Sequence, residues 1–206
     1  TDWCSSLCGG LPISPGPVLK EVFSAMSVIL RRMMLPDDRG HLHDISARTC
    51  GEDPSGQALE EFVLSCGESC PELCLLLIDD DHNPLGLAAG CVPSGQVSQW
   101  IELGEGCALP PSQQHIWDSF LTCRDVLETY PACMQVAVVP EARYRGYGKR
   151  LAFAMLELIG QRDVPGVHLA LDADVRQHGD FCRSMGFSLI AWTKDLHYYG
   201  LKFSRS

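Results

Sequence analysis

The sequence predicts a mixed α/β domain, with a mainly antiparallel sheet flanked by helices. Three observations lead there. Apolar runs and helical patterns alternate as strand, two helices, strands, helix, strand, helix, strand, helix, two strands. Two stretches, 73–92 and 187–203, read as hairpins, with turn residues between apolar runs. A third stretch, 134–159, passes from an apolar run through closely spaced glycines into a helical pattern. Hairpins combined with helical connections exclude a doubly wound parallel sheet.

Residues 1–27 read as a poorly ordered lead-in, punctuated by Gly9-Gly10, Pro12 and Pro15-Gly16-Pro17, with room for a short helix over 18–26. A single domain then spans 28–206. It opens on the short apolar strand Val28-Ile29-Leu30. Pro36-Asp37-Asp38 supplies a helix start, and Leu42, Ile45 and Ala47 give that helix its apolar stripe. A second helix is expected over 55–64.

Residues 73–78 form a dense apolar run, read as a buried strand, and 85–92 is its returning partner. Between them stands Asp79-Asp80-Asp81-His82-Asn83-Pro84. A calcium loop needs spaced ligands and a closing Glu, and Pro84 breaks that spacing, so this is read as a solvated turn. A helical insertion is expected at about 93–132. Its helix, over 112–130, repeats Ile116, Phe120, Cys123 and Leu127 at helical spacing, which reads as core packing.

A strand over 134–139 follows, then a helix over 149–159 with Leu151, Met155, Leu158 and Ile159 on one face. Next come a strand over 167–171 and a helix over 175–185 stopped by Gly186. Residues 187–192 and 197–203 close the chain as an antiparallel hairpin.

Composition narrows the function. The 206 residues suffice for one sizeable core, and the net charge of −10 argues against general nucleic-acid affinity, which needs phosphate neutralisation. No apolar stretch reaches the roughly 20 residues that span a bilayer, and no signal-peptide pattern is evident. The eleven cysteines are odd in number. Cys66, Cys70 and Cys74 recur every four residues, but Pro71 interrupts them and no second ligand pair accompanies them, so no metal is expected. Reduced thiols suit an intracellular setting, cytoplasmic or nuclear. The chain begins at Thr1, so it is read as a fragment or an excised domain, and the expected assembly is part of a larger protein or a homodimer.

The chemistry concentrates in Val138-Val139-Pro140-Glu141-Ala142-Arg143-Tyr144-Arg145-Gly146-Tyr147-Gly148. A strand that turns through glycines into a helix leaves unpaired N–H groups at the helix start, where the helix dipole favours an anion. Gly146 and Gly148 let a ligand approach the backbone closely. Arg143, Arg145, Lys149 and Arg150 add positive charge to an acidic chain. Neither the nucleoside-triphosphate pattern nor the three-glycine dinucleotide pattern is present.

The spacing Arg143-x-x-Gly146-x-Gly148, after Val138-x-Pro140, closely resembles the acetyl-CoA loop of the GNAT N-acetyltransferase superfamily. Leu30-Arg31-Arg32 with Pro36-Asp37-Asp38 looks like that superfamily's opening strand and helix. Phe181-Cys182-Arg183-Ser184-Met185-Gly186-Phe187 looks like its Phe-Tyr-x-x-x-Gly-Phe signature. The resemblance covers about 28–203. A finer resemblance is to the acetyltransferase-like C-terminal domain of O-GlcNAcase and its stand-alone relatives. It rests on Asp44-Ile45-Ser46-Ala47-Arg48-Thr49, Gly51-Glu52-Asp53, Tyr130-Pro131 and the stretch from Gly166 to Asp172.

The resemblance implies acetyl-CoA in a cleft where the fourth and fifth strands splay. Backbone of Val136, Ala137 and Val138 would pair with the pantetheine arm. Arg143, Tyr144, Arg145, Gly146, Tyr147, Gly148 and Lys149 would hold the pyrophosphate. The implied reaction is direct attack of an amine on the thioester, helped by a base, by oxyanion donors and by an acid for the leaving thiolate. The family's usual tyrosine acid falls at Cys182. Tyr198 and Tyr199 are the alternatives. Asp174 is the nearest counterpart of the family's acidic base, with Asp172 close by. His168 reads as a core histidine, and His178 stands either at the cleft or on an exposed face. A water relay would need no dedicated base. The rival expectation is a catalytically inactive scaffold or regulatory module with the same fold.

Overall fold

In the computed structural model, residues 28–50, 54–92, 126, 129–173, 176–194 and 196–203 are described. The elements are β1 (Val28–Arg32), α1 (Arg39–Cys50), α2 (Pro54–Ser69), β2 (Cys74–Asp79), β3 (Pro84–Cys91), β4 (Ala132–Val138), α3 (Tyr147–Gly160), β5 (Gly166–Asp172), α4 (Arg176–Ser184), β6 (Ser188–Trp192) and β7 (Leu196–Lys202). One sheet contains all seven strands in the order β1-β2-β3-β4-β5-β7-β6. Every pairing is antiparallel except β4 with β5. The expected mixed, mainly antiparallel architecture is what the chain adopts. The expected lead-in and its short helix over 18–26, and most of the expected insertion, lie outside the described residues.

Strand alternation divides the core between two faces. In β2, Cys74, Leu76 and Ile78 point toward α1 and α2, where they meet Leu42, Ile45, Phe62 and Val63. Leu75 and Leu77 point the other way, into a cluster with Leu151, Met155 and Ile159 of α3. Both β2 faces are covered, so the run reads as continuously apolar. Truncating Leu151, which is fully buried, costs about 2–5 kcal/mol on general grounds.

Helix α3 begins at Tyr147, ahead of the expected 149, and α4 spans Arg176–Ser184, inside the expected 175–185; α1 and α2 depart for reasons that the structure shows. Pro36-Asp37-Asp38 does not open α1; it forms a turn, and the helix starts at Arg39. The Asp38 carboxylate accepts from the Met34 N–H at 2.7 Å, which folds the chain back before the helix can begin. Helix α2 runs to Ser69, beyond the expected 64, because Ser65 and Cys66 are buried and prolong its packed face. The aspartate turn is held by Asp79, whose carboxylate accepts from the backbone N–H groups of Asp81 and Asn83.

Candidate active site

The sheet opens between β4 and β5. Their parallel register contains two pairs, Ala132↔Val167 and Cys133↔His168. Beyond them β4 keeps its ladder with β3 as far as Gly86↔Val138, and β5 keeps its ladder with β7 as far as Asp172↔Leu196. Each strand is thus satisfied on its outer side, while the facing edges from Met134 onward diverge into a wedge. Val136 and Val138 are half-buried along that edge, and Ala137 is buried.

A short turn, Pro140–Ala142, leads from β4 into the glycine loop. Tyr144 has φ 62° and Gly146 φ 82°, so two left-handed residues bracket Arg145. Such alternation turns successive N–H groups inward, as in an anion nest. Gly146 is the N-cap of α3 and offers no side-chain acceptor. The first-turn N–H groups of α3 have no partner within the helix. At Gly148 an added Cβ would stand 3.4 Å from the Phe181 ring of α4, whereas at Gly146 it would meet open space. The two glycines therefore differ: Gly146 supplies a left-handed backbone, whereas a Cβ at Gly148 would make only an ordinary van der Waals contact with Phe181.

The loop is tied to its surroundings on both sides. Arg143 donates through Nε to the Val138 carbonyl at 3.2 Å. The Tyr144 hydroxyl donates to Gln177 of α4 at 3.0 Å. Arg48 of α1 reaches Glu141 at 3.2 Å while holding Asp44 at 2.7 Å. This pairing neutralises the carboxylate nearest the loop and leaves Arg143, Arg145, Lys149 and Arg150 exposed around the nest.

The candidate proton donors occupy different faces of the sheet. Cys182 is 1% exposed, packed in the cluster with α3, Met185 and Phe187, and burial pushes its thiol up to about 12. Tyr199 points to that same face, and its hydroxyl lies against Gly179 of α4. Tyr198 alternates to the opposite face. It pairs with Ala170 in β5, and its ring lies 6.5 Å from that of His168. Both Tyr198 and His168 are buried.

His168 donates from Nδ1 to the Tyr130 carbonyl at 2.7 Å, and burial holds its pKa below the ordinary value. His178, at the exposed start of α4, is lowered chiefly by desolvation and further by Arg143, against the opposing pull of Asp172. These three groups thus share one electrostatic neighbourhood beside the loop. Asp174 lies outside the described residues.

Sequence reasoning passed over Gln135. Its Nε2 donates to the Ala170 carbonyl at 3.2 Å, from β4 to β5 across the wedge. The available signal was one amide side chain within the apolar run of β4.

Neither a protein-family model nor a curated relative matches the sequence. Solved structures do match its shape. SsHAT is similar at TM-score 0.68 and 22% identity, over 87% of this chain and 100% of its own. A Desulfovibrio desulfuricans protein assigned to the GNAT family of acetyltransferases gives 0.58 and 17%, over 85% and 99%. The PaiA N-acetyltransferase of Thermoplasma acidophilum, solved with coenzyme A, gives 0.60 and 12%, over 86% and 100%. The chain has the GNAT fold.

Proposed function

We propose that this protein is an acetyl-CoA-dependent N-acetyltransferase that acts on an amine-bearing acceptor. The observation that carries the reading is the wedge between β4 and β5 opening directly onto the nest at residues 143–148. A wedge of unpaired strand edge suits an extended amide-containing arm, and a nest with four cations suits a pyrophosphate. The coenzyme A held by PaiA is consistent with such an occupant.

Acetyl-CoA would supply an acyl carbon already activated as a thioester. The free edge of Val136, Ala137 and Val138 would hold the arm, and the backbone from Arg143 to Lys149 the pyrophosphate. The amine nitrogen would form the new C–N bond as the C–S bond breaks. Its proton would leave to water or to a base, for which Asp174 and His178 are the candidates. The departing sulfur would take a proton from an acid. Tyr198, on the face of the wedge away from α3 and α4, fits that role better than Cys182, because a thiol raised to about 12 releases its proton reluctantly.

The finer likeness to the O-GlcNAcase C-terminal domain rests on sequence motifs. It supports the second reading, a scaffold that keeps the fold without turnover. The burial of Cys182 where the GNAT superfamily usually has its tyrosine favours this alternative. The free cysteines among the described residues fit an intracellular setting, and no described helix is long and apolar enough to cross a membrane.

Titration calorimetry with acetyl-CoA, followed by thiol release against an amine panel, decides between them. Binding with turnover supports the enzyme. Binding without turnover of any amine supports the scaffold. Absence of binding removes the enzyme reading.

A further inference from the structure

Gln135 stands where the sheet stops being continuous. Continuing the parallel register of β4 and β5 by two residues from Cys133↔His168 would place Gln135 opposite Ala170. No backbone pair forms there. The Gln135 side chain spans the gap instead, its Nε2 donating to the Ala170 carbonyl. A glutamine in an otherwise apolar strand is costly to bury unless its amide is bonded, and this bond meets that demand. By alternation with Cys133 and Ala137, the side chain lies on the α1/α2 face of the sheet. The narrow end of the wedge is therefore closed by a side chain bonded across it.

We propose that Gln135 sets the length of the acyl group that the wedge accepts, a reading that rests on an acyl-CoA occupying the wedge as argued above. The anionic end of such a ligand belongs at the loop after Val138. Its arm then follows the unpaired edge of β4 from Val138 toward Met134. The reactive end comes to rest against the Gln135–Ala170 bridge. A two-carbon acyl group stops short of the bridge. Each further methylene must break the 3.2 Å bond, leaving the Ala170 carbonyl and the amide without partners, or force the strands apart. Replacing Gln135 with alanine removes the bridge and lengthens the space.

The test is calorimetric titration with CoA, acetyl-CoA, propionyl-CoA and butyryl-CoA, for the parent and for Gln135→Ala. The parent is expected to bind butyryl-CoA at least roughly tenfold more weakly than acetyl-CoA, the discrimination that small acyl differences usually allow. Gln135→Ala is expected to abolish most of that difference while binding CoA itself as the parent does. A parent that binds all three thioesters equally overturns the inference, and this measurement does not depend on whether the variant folds. A folded Gln135→Ala that keeps the parent's discrimination also overturns it and leaves Gln135 a structural bridge between strands. If the parent binds no form of CoA, the functional reading falls and takes this inference with it. If CoA binds without acyl discrimination, this inference falls alone.

Discussion

Arg31 grips Asp38 through two parallel hydrogen bonds of 2.6 Å, one to each carboxylate oxygen. The same carboxylate accepts from the Met34 N–H and contacts His41. Asp38 is almost fully buried, whereas the Arg31 side chain is 34% exposed. The pair fixes the turn between β1 and α1. Asp38→Asn keeps the shape but removes the charge and one acceptor. The expected loss is about 2–3 kcal/mol, below the usual cost of breaking a fully buried pair because Arg31 is partly solvated. Urea unfolding measures it, and a change under about 0.5 kcal/mol would mean that the turn is held elsewhere.

Two buried groups make the fold acid-sensitive in separate ranges. Arg31 holds the Asp38 carboxyl well below its ordinary 3.8, so its contribution is complete above 3.8 and is lost as pH falls below that value. His168 is held below its ordinary 6.5 by burial and stays neutral in the fold. On acidification the unfolded chain binds that proton first, so stability is complete above 6.5 and declines below it. His178 shifts in the same direction and adds to the slope. Thermal midpoints should be flat from 6.5 up to the ordinary thiol value of 9.0, above which the buried thiols of Cys74 and Cys182 make them decline; they should fall gently below 6.5 and fall again below 3.8. His168→Gln should reduce the first decline and leave the second. Equal slopes in parent and variant would remove His168 from this account.

The glycine loop gives contrasting variants. Gly146→Ala forces a Cβ onto a residue at φ 82°, which costs about 1–2 kcal/mol, but the Cβ itself meets open space. Gly148→Asp puts a Cβ 3.4 Å from Phe181 and a carboxylate beside the first turn of α3. Gly146→Ala should therefore lower the melting temperature more than it weakens CoA binding. Gly148→Asp should weaken binding at least tenfold, and the parent's affinity should fall as salt rises because Arg143, Arg145 and Lys149 are exposed. Parent-like binding by Gly148→Asp, or salt-independent binding, would count against the loop as a phosphate cradle.

The loop was legible in the sequence because its requirements are local. A left-handed cap at a helix start and nearby cations each leave a residue type at a fixed spacing. The succession of strands and helices along the chain was legible for a similar reason, since apolar runs and turn residues mark each element. Contacts across the chain were not. Gln135 meets Ala170 35 residues away, and Arg48 meets Glu141 93 residues away; no local pattern encodes either. The start of α1 was misplaced because Pro36-Asp37-Asp38 has the chemistry of a helix start, while the Asp38 side chain is committed to Met34 and Arg31. The surroundings of Cys182 were equally hidden, since they depend on how α4 lies against α3 and the sheet.

Those surroundings give the sharpest test of the proton donor. Cys182 is enclosed by apolar side chains, and its thiol is raised to about 12 by that burial. Cys182→Ala should then cost about 1 kcal/mol of stability through lost packing and leave turnover of the folded protein within about twofold of the parent. Tyr198 is also buried, but it lies beside Ala170 on the opposite face, next to the end of the wedge that Gln135 closes. If its hydroxyl protonates the leaving sulfur, Tyr198→Phe should lower kcat by roughly 10²–10⁴-fold with acetyl-CoA affinity unchanged. Tyr199→Phe serves as the control, because that hydroxyl lies against α4 on the Cys182 face. Stopped-flow thiol release with the best amine of the panel separates the outcomes. A large loss in Cys182→Ala with a silent Tyr198→Phe would return the acid role to the thiol. Silence in all three would mean that water protonates the sulfur, and the wedge would then contribute position and electrostatics alone.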